Sequence, residues 1–337
     1  MNLAPAIADS GTLRLKRGRL TAIWILTAVV SVVSVVVAPI AAFVLMISAF
    51  GLPHVLYELR YCDERFSARA PAPALWIIGI LLAIIALARI ANGAHILSAD
   101  VFLPIELSLG ATLAFTGAYF MRANRLLGAA LGLAFALGAA FVPIATFLVW
   151  AWLHNLTPMG FVAEITQGEE RRRWLVALAI PFFVLPALVA TGAFHALASV
   201  FFAPMFFTGG EWQTMSMFGA GDRPLLSFLP QGSSDLNLFS AAVVAQSMHY
   251  VAVIVLLPQL LAAKQGAAAR ASLVPWPSWR VFAGAVAVLA AIAFGIYAVS
   301  YTDARAAYGV AAAIHAWVEL PILLLALGQG FATRSET

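Results

Sequence analysis

Apolar stretches long enough to cross a lipid bilayer follow one another along nearly the whole 337-residue chain. A membrane helix needs roughly 20 mainly apolar residues, with about 17–25 usual. Such stretches lie at 20–37, 39–57, 74–95, 101–121, 126–142, 143–158, 174–197, 237–262, 280–300 and 307–329. Lipid offers the backbone no hydrogen-bond partner, so each of these segments must satisfy its own amides and carbonyls as a helix. The sequence therefore predicts an all-α fold, a polytopic transmembrane helical bundle of about ten spans (eight to ten). Two divisions rest on one proline each: Ala38-Pro39 splits the run 20–57, which otherwise reads as one kinked element plus a shorter helix, and Val142-Pro143 splits 126–158 into two short halves. Charged residues make up 10% of the chain and hydrophobic ones 63%, against about 25% and 45–50% in water-soluble domains. A soluble fold is excluded on that ground, and disorder on the opposite one, because there is ample apolar surface to bury.

The cations set the expected orientation. With the N-terminus inside, sixteen of the nineteen lysines and arginines fall in inner segments, Arg223 and Arg305 fall outside, and Arg89 lies within a span. This asymmetry is the positive-inside pattern and implies an even number of spans with both termini cytoplasmic. The net charge of +4 thus reflects topology, and no nucleic-acid partner is expected. The domain reading is a basic cytoplasmic segment 1–19, a single transmembrane domain 20–329 and a cytoplasmic tail 330–337. The segment 198–236, rich in Phe, Met and Trp, reads as an outer interfacial loop or as a lid over a lipid-facing portal. The first apolar run lacks a small-residue cleavage site and reads as an anchor. The bacterial inner membrane is the expected location. The single cysteine, Cys62, rules out an intrachain disulfide and an all-cysteine metal cage.

All six histidines, His54, His95, His154, His195, His249 and His315, fall within or at the ends of these spans. An ionisable group inside a membrane costs free energy unless it is paired, coordinated or hydrated, so it marks a functional site by default. One such histidine bonded to a backbone carbonyl is unremarkable; the set carries the argument. His54 and Glu58 stand four residues apart, as do His315 and Glu319, so each pair shares one helix face and its imidazole and carboxylate can reach one ion. Nitrogen and oxygen ligands of this mix suit iron, zinc or manganese, and facing helices of a bundle commonly supply them. His154 is followed by Asn155, and Gln246, His249 and Tyr250 put polar groups in mid-span. The candidate metal ligands are His54, Glu58, His154, His249, His315 and Glu319, with His195 as a further one. Tyr250 and Asn155 are candidates for orienting oxygen or substrate. His95 reads as a bystander, and Glu106 as a structural partner of Arg89 or His95. By sequence depth His54 and His154 fall near inner span ends, and His249 and His315 near mid-depth.

The run Phe50-Gly51-Leu52-Pro53-His54 with an acid at position 58 resembles the membrane-bound bacterial β-carotene-cleaving dioxygenases, the bacterio-opsin-related-protein family. The match covers about ten of 337 residues. The resemblance implies a polytopic bundle in which intramembrane histidines hold iron and O₂ splits a carotenoid; His54 would be an iron ligand and Glu58 the acidic position. HExxH, Walker, Rossmann and GxSxG signatures are absent, as are the multi-histidine boxes of membrane desaturases. The spans hold no lysine for a Schiff base. The expected function is an integral-membrane non-haem metal oxygenase, an enzyme of the oxidoreductase class using iron with O₂ as co-substrate on a lipophilic substrate such as a carotenoid or long-chain lipid. A proton-coupled transporter using His/Glu relays and a haem-binding membrane protein are the alternatives.

Overall fold

The computed structural model describes residues 17–67, 70–121, 123–201, 233–264 and 272–328. Among the described residues every regular element is helical. In chain order these are α1 (Arg17–Val37), α2 (Pro39–Cys62), α3 (Ala72–Gly93), α4 (Ala99–Phe120), α5 (Arg125–Phe141), α6 (Pro143–His154), α7 (Thr157–Ile165) and α8 (Gly168–Ala179). They continue with α9 (Leu185–Ala190), α10 (Ala193–Phe201), α11 (Ser233–Val251), α12 (Leu257–Lys264), α13 (Trp279–Val299) and α14 (Tyr301–Gly328). π-Helical turns join α8 to α9 at Ile180–Val184 and α11 to α12 at Ala252–Leu256. Each precedes a proline, Pro186 or Pro258. A proline has no N–H for the carbonyl four residues back, and a wider π turn is one way a helix absorbs that defect.

Among the described residues eight helices are long and apolar enough to cross a membrane, so this is a membrane protein. The prolines divide the chain where expected: α1 ends at Val37 and α2 begins at Pro39, and α5 and α6 meet at Val142-Pro143. The predicted spans 126–142 and 143–158 correspond to short helices, α5 with 17 residues and α6 with 12. The outward faces of the bundle suit lipid; large apolar side chains such as Trp76 and Leu87 of α3, Leu126 of α5 and Val288 of α13 are exposed. The portal or interfacial segment 198–236, the N-terminal segment before Arg17 and the tail 330–337 lie largely or wholly outside the described residues.

The long helix α14 packs against α2, α3, α4, α7 and α13 and forms the axis of the bundle. Small residues let the neighbours close in, as is usual where lipid supplies no hydrophobic drive between helices. Gly128 of α5 lies on Ala118 of α4, and Gly132 on Phe115. Gly110 of α4 faces the Trp317 ring, and Gly117 faces the α14 backbone at Pro321. The Gly110→Ala variant places its methyl inside the Trp317 ring, which stacks on Trp150 and packs edge-on against Phe135. Overpacking of this kind costs about 1–3 kcal/mol, so Gly110→Ala should lower the thermal midpoint by several degrees. An unchanged midpoint would contradict the α4–α14 register.

At the end of the bundle carrying the 272–278 connection, Asp63 accepts hydrogen bonds from the Leu273 and Val274 amides and from Trp276 Nε1. Arg65 meets Glu164 in a two-pronged ion pair at 2.8 and 2.7 Å. These contacts tie the α2 end to α7 and to the approach to α13.

Candidate metal centre

Four helices bring the site together: α2 carries His54 and Glu58, α6 ends on His154, α11 carries His249, and α14 carries His315 and Glu319. The depth mismatch expected from sequence disappears for two reasons. α2 runs on to Cys62 rather than ending at 57, which moves His54 away from the inner end. α6 is a short helix whose last residue is His154. Each histidine stands 11 to 16 residues from the first residue of its own helix, or about 16–24 Å at 1.5 Å per residue.

The local sequence explains two of the contacts. Pro158 has no amide hydrogen for the His154 carbonyl, and Thr157 Oγ1 donates to that carbonyl instead at 2.8 Å. The Met159 amide turns to Leu156 O, so the helix is interrupted after His154 and the Asn155 carbonyl is released to face His249 Nδ1 at 3.4 Å. On α2, Gly51 admits the Tyr308 ring: a Cβ there would stand 3.0 Å from Tyr308 Cε2. This is the physical role of the glycine three residues before His54.

The ring nitrogens converge. His54 Nε2 lies 3.1 Å from His315 Nε2, which lies 3.1 Å from His154 Nε2. One ligand atom from each of His54, His154, His249 and His315 falls within 4.8 Å of the others. Glu58, His315 and Glu319 form an overlapping group on the same criterion. His54, His249 and His315 are buried, as are Glu58 and Glu319.

The second ring nitrogens assign the tautomers, which are inferred from their acceptors. His54 Nδ1 faces the Phe50 carbonyl at 3.2 Å. His154 Nδ1 faces Glu319 Oε2 at 2.9 Å. His249 Nδ1 faces the Asn155 carbonyl. Each Nδ1 thus carries the proton and donates it outward, leaving a lone pair on each Nε2 that points into the cluster. Carboxylate and carbonyl acceptors behind metal-bound histidines fix rings in this way. Each carboxylate serves a histidine on another helix: Glu319 holds His154, and Glu58 Oε2 lies 3.3 Å from His249 Nε2 and 3.9 Å from His315 Nε2. The i, i+4 spacing places each acid on the right face, and the bundle chooses its partner. Glu58 Oε1 and Oε2, Glu319 Oε1, His249 Nε2 and His315 Nδ1 are buried without a hydrogen-bond partner among the described residues.

Those orphaned atoms test whether a metal fits. Metal–nitrogen bonds of about 2.1 Å place two ligands at a right angle roughly 3.0 Å apart, close to the observed separations of 3.1 Å. Among the described residues, only imidazoles lie within 4 Å of either carboxylate as basic groups. One divalent cation would balance both charges and engage the lone pairs. Glu319→Gln keeps the volume and removes the charge behind His154; the expected effect is a 10–100-fold loss of metal affinity, read by competition with a chelator. Unaltered affinity would remove Glu319 from the centre.

Tyr250 stacks on His54 with ring centroids 3.9 Å apart. Its hydroxyl lies 3.1 Å from that of Tyr308 and accepts from Gln246 Nε2 at 2.9 Å. A cavity of about 1820 Å³ is lined by His54, His154, His315, Tyr250, Tyr308 and Asn155, among others, and reaches the helix ends near Ser98 and Asp303. Glu106 is fully buried and pairs with Arg89 Nη2 at 2.7 Å, as expected, while also accepting from Trp317 Nε1 at 2.8 Å. His195 does not join the four histidines and lies beside Asn237 and the Val35 backbone; its helix, α10, follows a left-handed turn at Gly192. Sequence reasoning missed Tyr308. It precedes His315 by seven residues, two helical turns, and that spacing was the available signal. The Asn155 and Phe50 carbonyls carry no side-chain signal at all.

Comparison with protein-family models, curated proteins and solved structures finds no match for this chain. The site is therefore read from its own chemistry.

Proposed function

We propose that this protein is an integral-membrane, metal-dependent oxidoreductase: a non-haem iron centre held by His54, His154, His249 and His315 that uses O₂ to oxidise or cleave a lipophilic substrate. The observation that carries this reading is the convergence of four imidazoles beside two buried carboxylates that have no lysine or arginine partner among the described residues. Glu58 is the adjoining carboxylate, and Glu319 orients His154. A redox-active metal suits the setting, because an apolar bundle admits apolar O₂ and excludes the water that would quench reactive species. The cavity beside the histidines supports a long substrate, a carotenoid or a long-chain lipid. Tyr250 and Asn155, both on its wall, would orient substrate or oxygen. Ring nitrogens 3.1 Å apart leave no room for a porphyrin between them, which disfavours haem. The bacterial inner membrane is the proposed location.

Elemental analysis of the detergent-purified protein, with an optical spectrum of the same sample, tests this reading. About one iron per chain without a Soret band is expected, followed by O₂ consumption when carotenoids or long-chain lipids are supplied. Protein lacking stoichiometric metal after growth in iron-replete medium would overturn the reading and make the histidines proton carriers.

A further inference from the structure

Two arginines and two carboxylates line the cavity, and the arginines keep buried N–H groups without a partner among the described residues. The arginines are Arg89 and Arg305. Glu106 neutralises Arg89 through Nη2, yet Arg89 Nε is buried without a hydrogen-bond partner among the described residues. Arg305 Nη1 is likewise buried and unpartnered there, and the guanidinium lies 5.8 Å from the centre of the Phe43 ring. Among the described residues, the other charged or titratable groups near the mouth make no hydrogen bond to Arg305 Nη1. Asp303 is exposed and accepts from Ser300 Oγ at 2.8 Å, close to the start of α14; His95 sits on the rim.

Placement along α14 gives the Arg305 guanidinium a meaning. Arg305, Tyr308, Ala312 and His315 all line the cavity, at helical offsets of three, seven and ten, so one face runs from the guanidinium to the histidine cluster. Ten residues rise about 15 Å, a length that an extended hydrocarbon covers in on the order of a dozen bonds. Between the two ends lie Phe43, Ile47, Phe239 and the Tyr250–Tyr308 pair, a mainly apolar passage. A guanidinium in a low-dielectric wall is satisfied by a carboxylate that takes its N–H groups.

We infer that the cavity binds a long-chain fatty-acid-type amphiphile, its carboxylate on Arg305 and its hydrocarbon chain extending to the four-histidine centre. The role of this ligand as substrate rests on the metal-centre reading above; its binding does not. Head anchoring of this kind fixes which carbon reaches the centre, so position along the chain is selected by distance from the acid.

Binding to the full-length protein in a neutral sugar detergent tests the inference, with intrinsic tryptophan fluorescence as the readout and iron content measured on the same sample. Hexadecanoate should bind about tenfold or more tightly than its methyl ester, the difference an ion pair of this kind supplies. Arg305→Gln should abolish that preference while leaving ester binding within about twofold. Equal affinity for acid and ester in the unaltered protein would overturn the proposal, and that comparison needs no variant to fold. Acetate competing as well as hexadecanoate would overturn it too, by showing a site for a small free anion. A preference retained in Arg305→Gln would overturn the assignment to Arg305. Iron present with no acid preference leaves the metal centre standing and removes this ligand; acid preference in iron-free protein does the reverse.

Discussion

Replacing His315 by alanine is expected to empty the centre of metal, from about one ion per chain to less than a tenth of that. His315 Nε2 is the atom that touches two others of its kind, His54 and His154, each at 3.1 Å, and it also belongs to the group formed with Glu58 and Glu319. Its loss removes a ligand from the middle of the set rather than from the rim. The two buried carboxylates then lose the positive charge that the ion would place beside them. His249→Ala should also lose the ion, because His249 Nε2 is the nearest imidazole atom to Glu58. The check is elemental analysis of variants that retain the helical circular dichroism of the parent. Full metal occupancy in either variant would sink the ligand assignment.

The second large effect is expected away from the centre. Glu106→Leu should lower stability by about 3 kcal/mol, the lower end of what breaking a buried ion pair costs, because the Arg89 side chain keeps 22% of its surface exposed. Glu106 Oε1 receives both Arg89 Nη2 and Trp317 Nε1, so one substitution strands a guanidinium and an indole N–H in an apolar wall. The paired variant Arg89→Leu/Glu106→Leu should recover much of the loss, because no charge is then left uncompensated. Thermal midpoints of the three proteins decide the matter. A single variant within a degree of the parent would show that the pair contributes nothing.

Much of the site was legible in the sequence because helical spacing is rigid. His54 with Glu58, and His315 with Glu319, occupy shared helix faces as the i, i+4 rule requires, and Glu106 finds Arg89 as expected. Partner choice was not legible. Each acid turns to a histidine on a different helix, which depends on how α2, α6, α11 and α14 are rotated about their axes. His195 shows the limit from the other side: residue type and intramembrane position alone made it a candidate, and packing set it apart.

By itself the sequence determined that this chain is a bundle of membrane helices, because apolar segments of about 20 residues have no other way to satisfy their backbone in lipid. It also determined where two of those helices break, since Pro39 and Pro143 cannot donate the bonds that would continue the preceding helices. Only the tertiary structure decided that four histidines from four helices meet at one depth. That outcome required the early stop of α6 at His154, the release of the Asn155 carbonyl by Pro158, and the close approach of α14 to α2 that Gly51 permits. These are contacts between segments as many as 261 residues apart. Periodicity along a single helix carries no information about them, because it fixes which residues share a face and not which face of another helix they will meet.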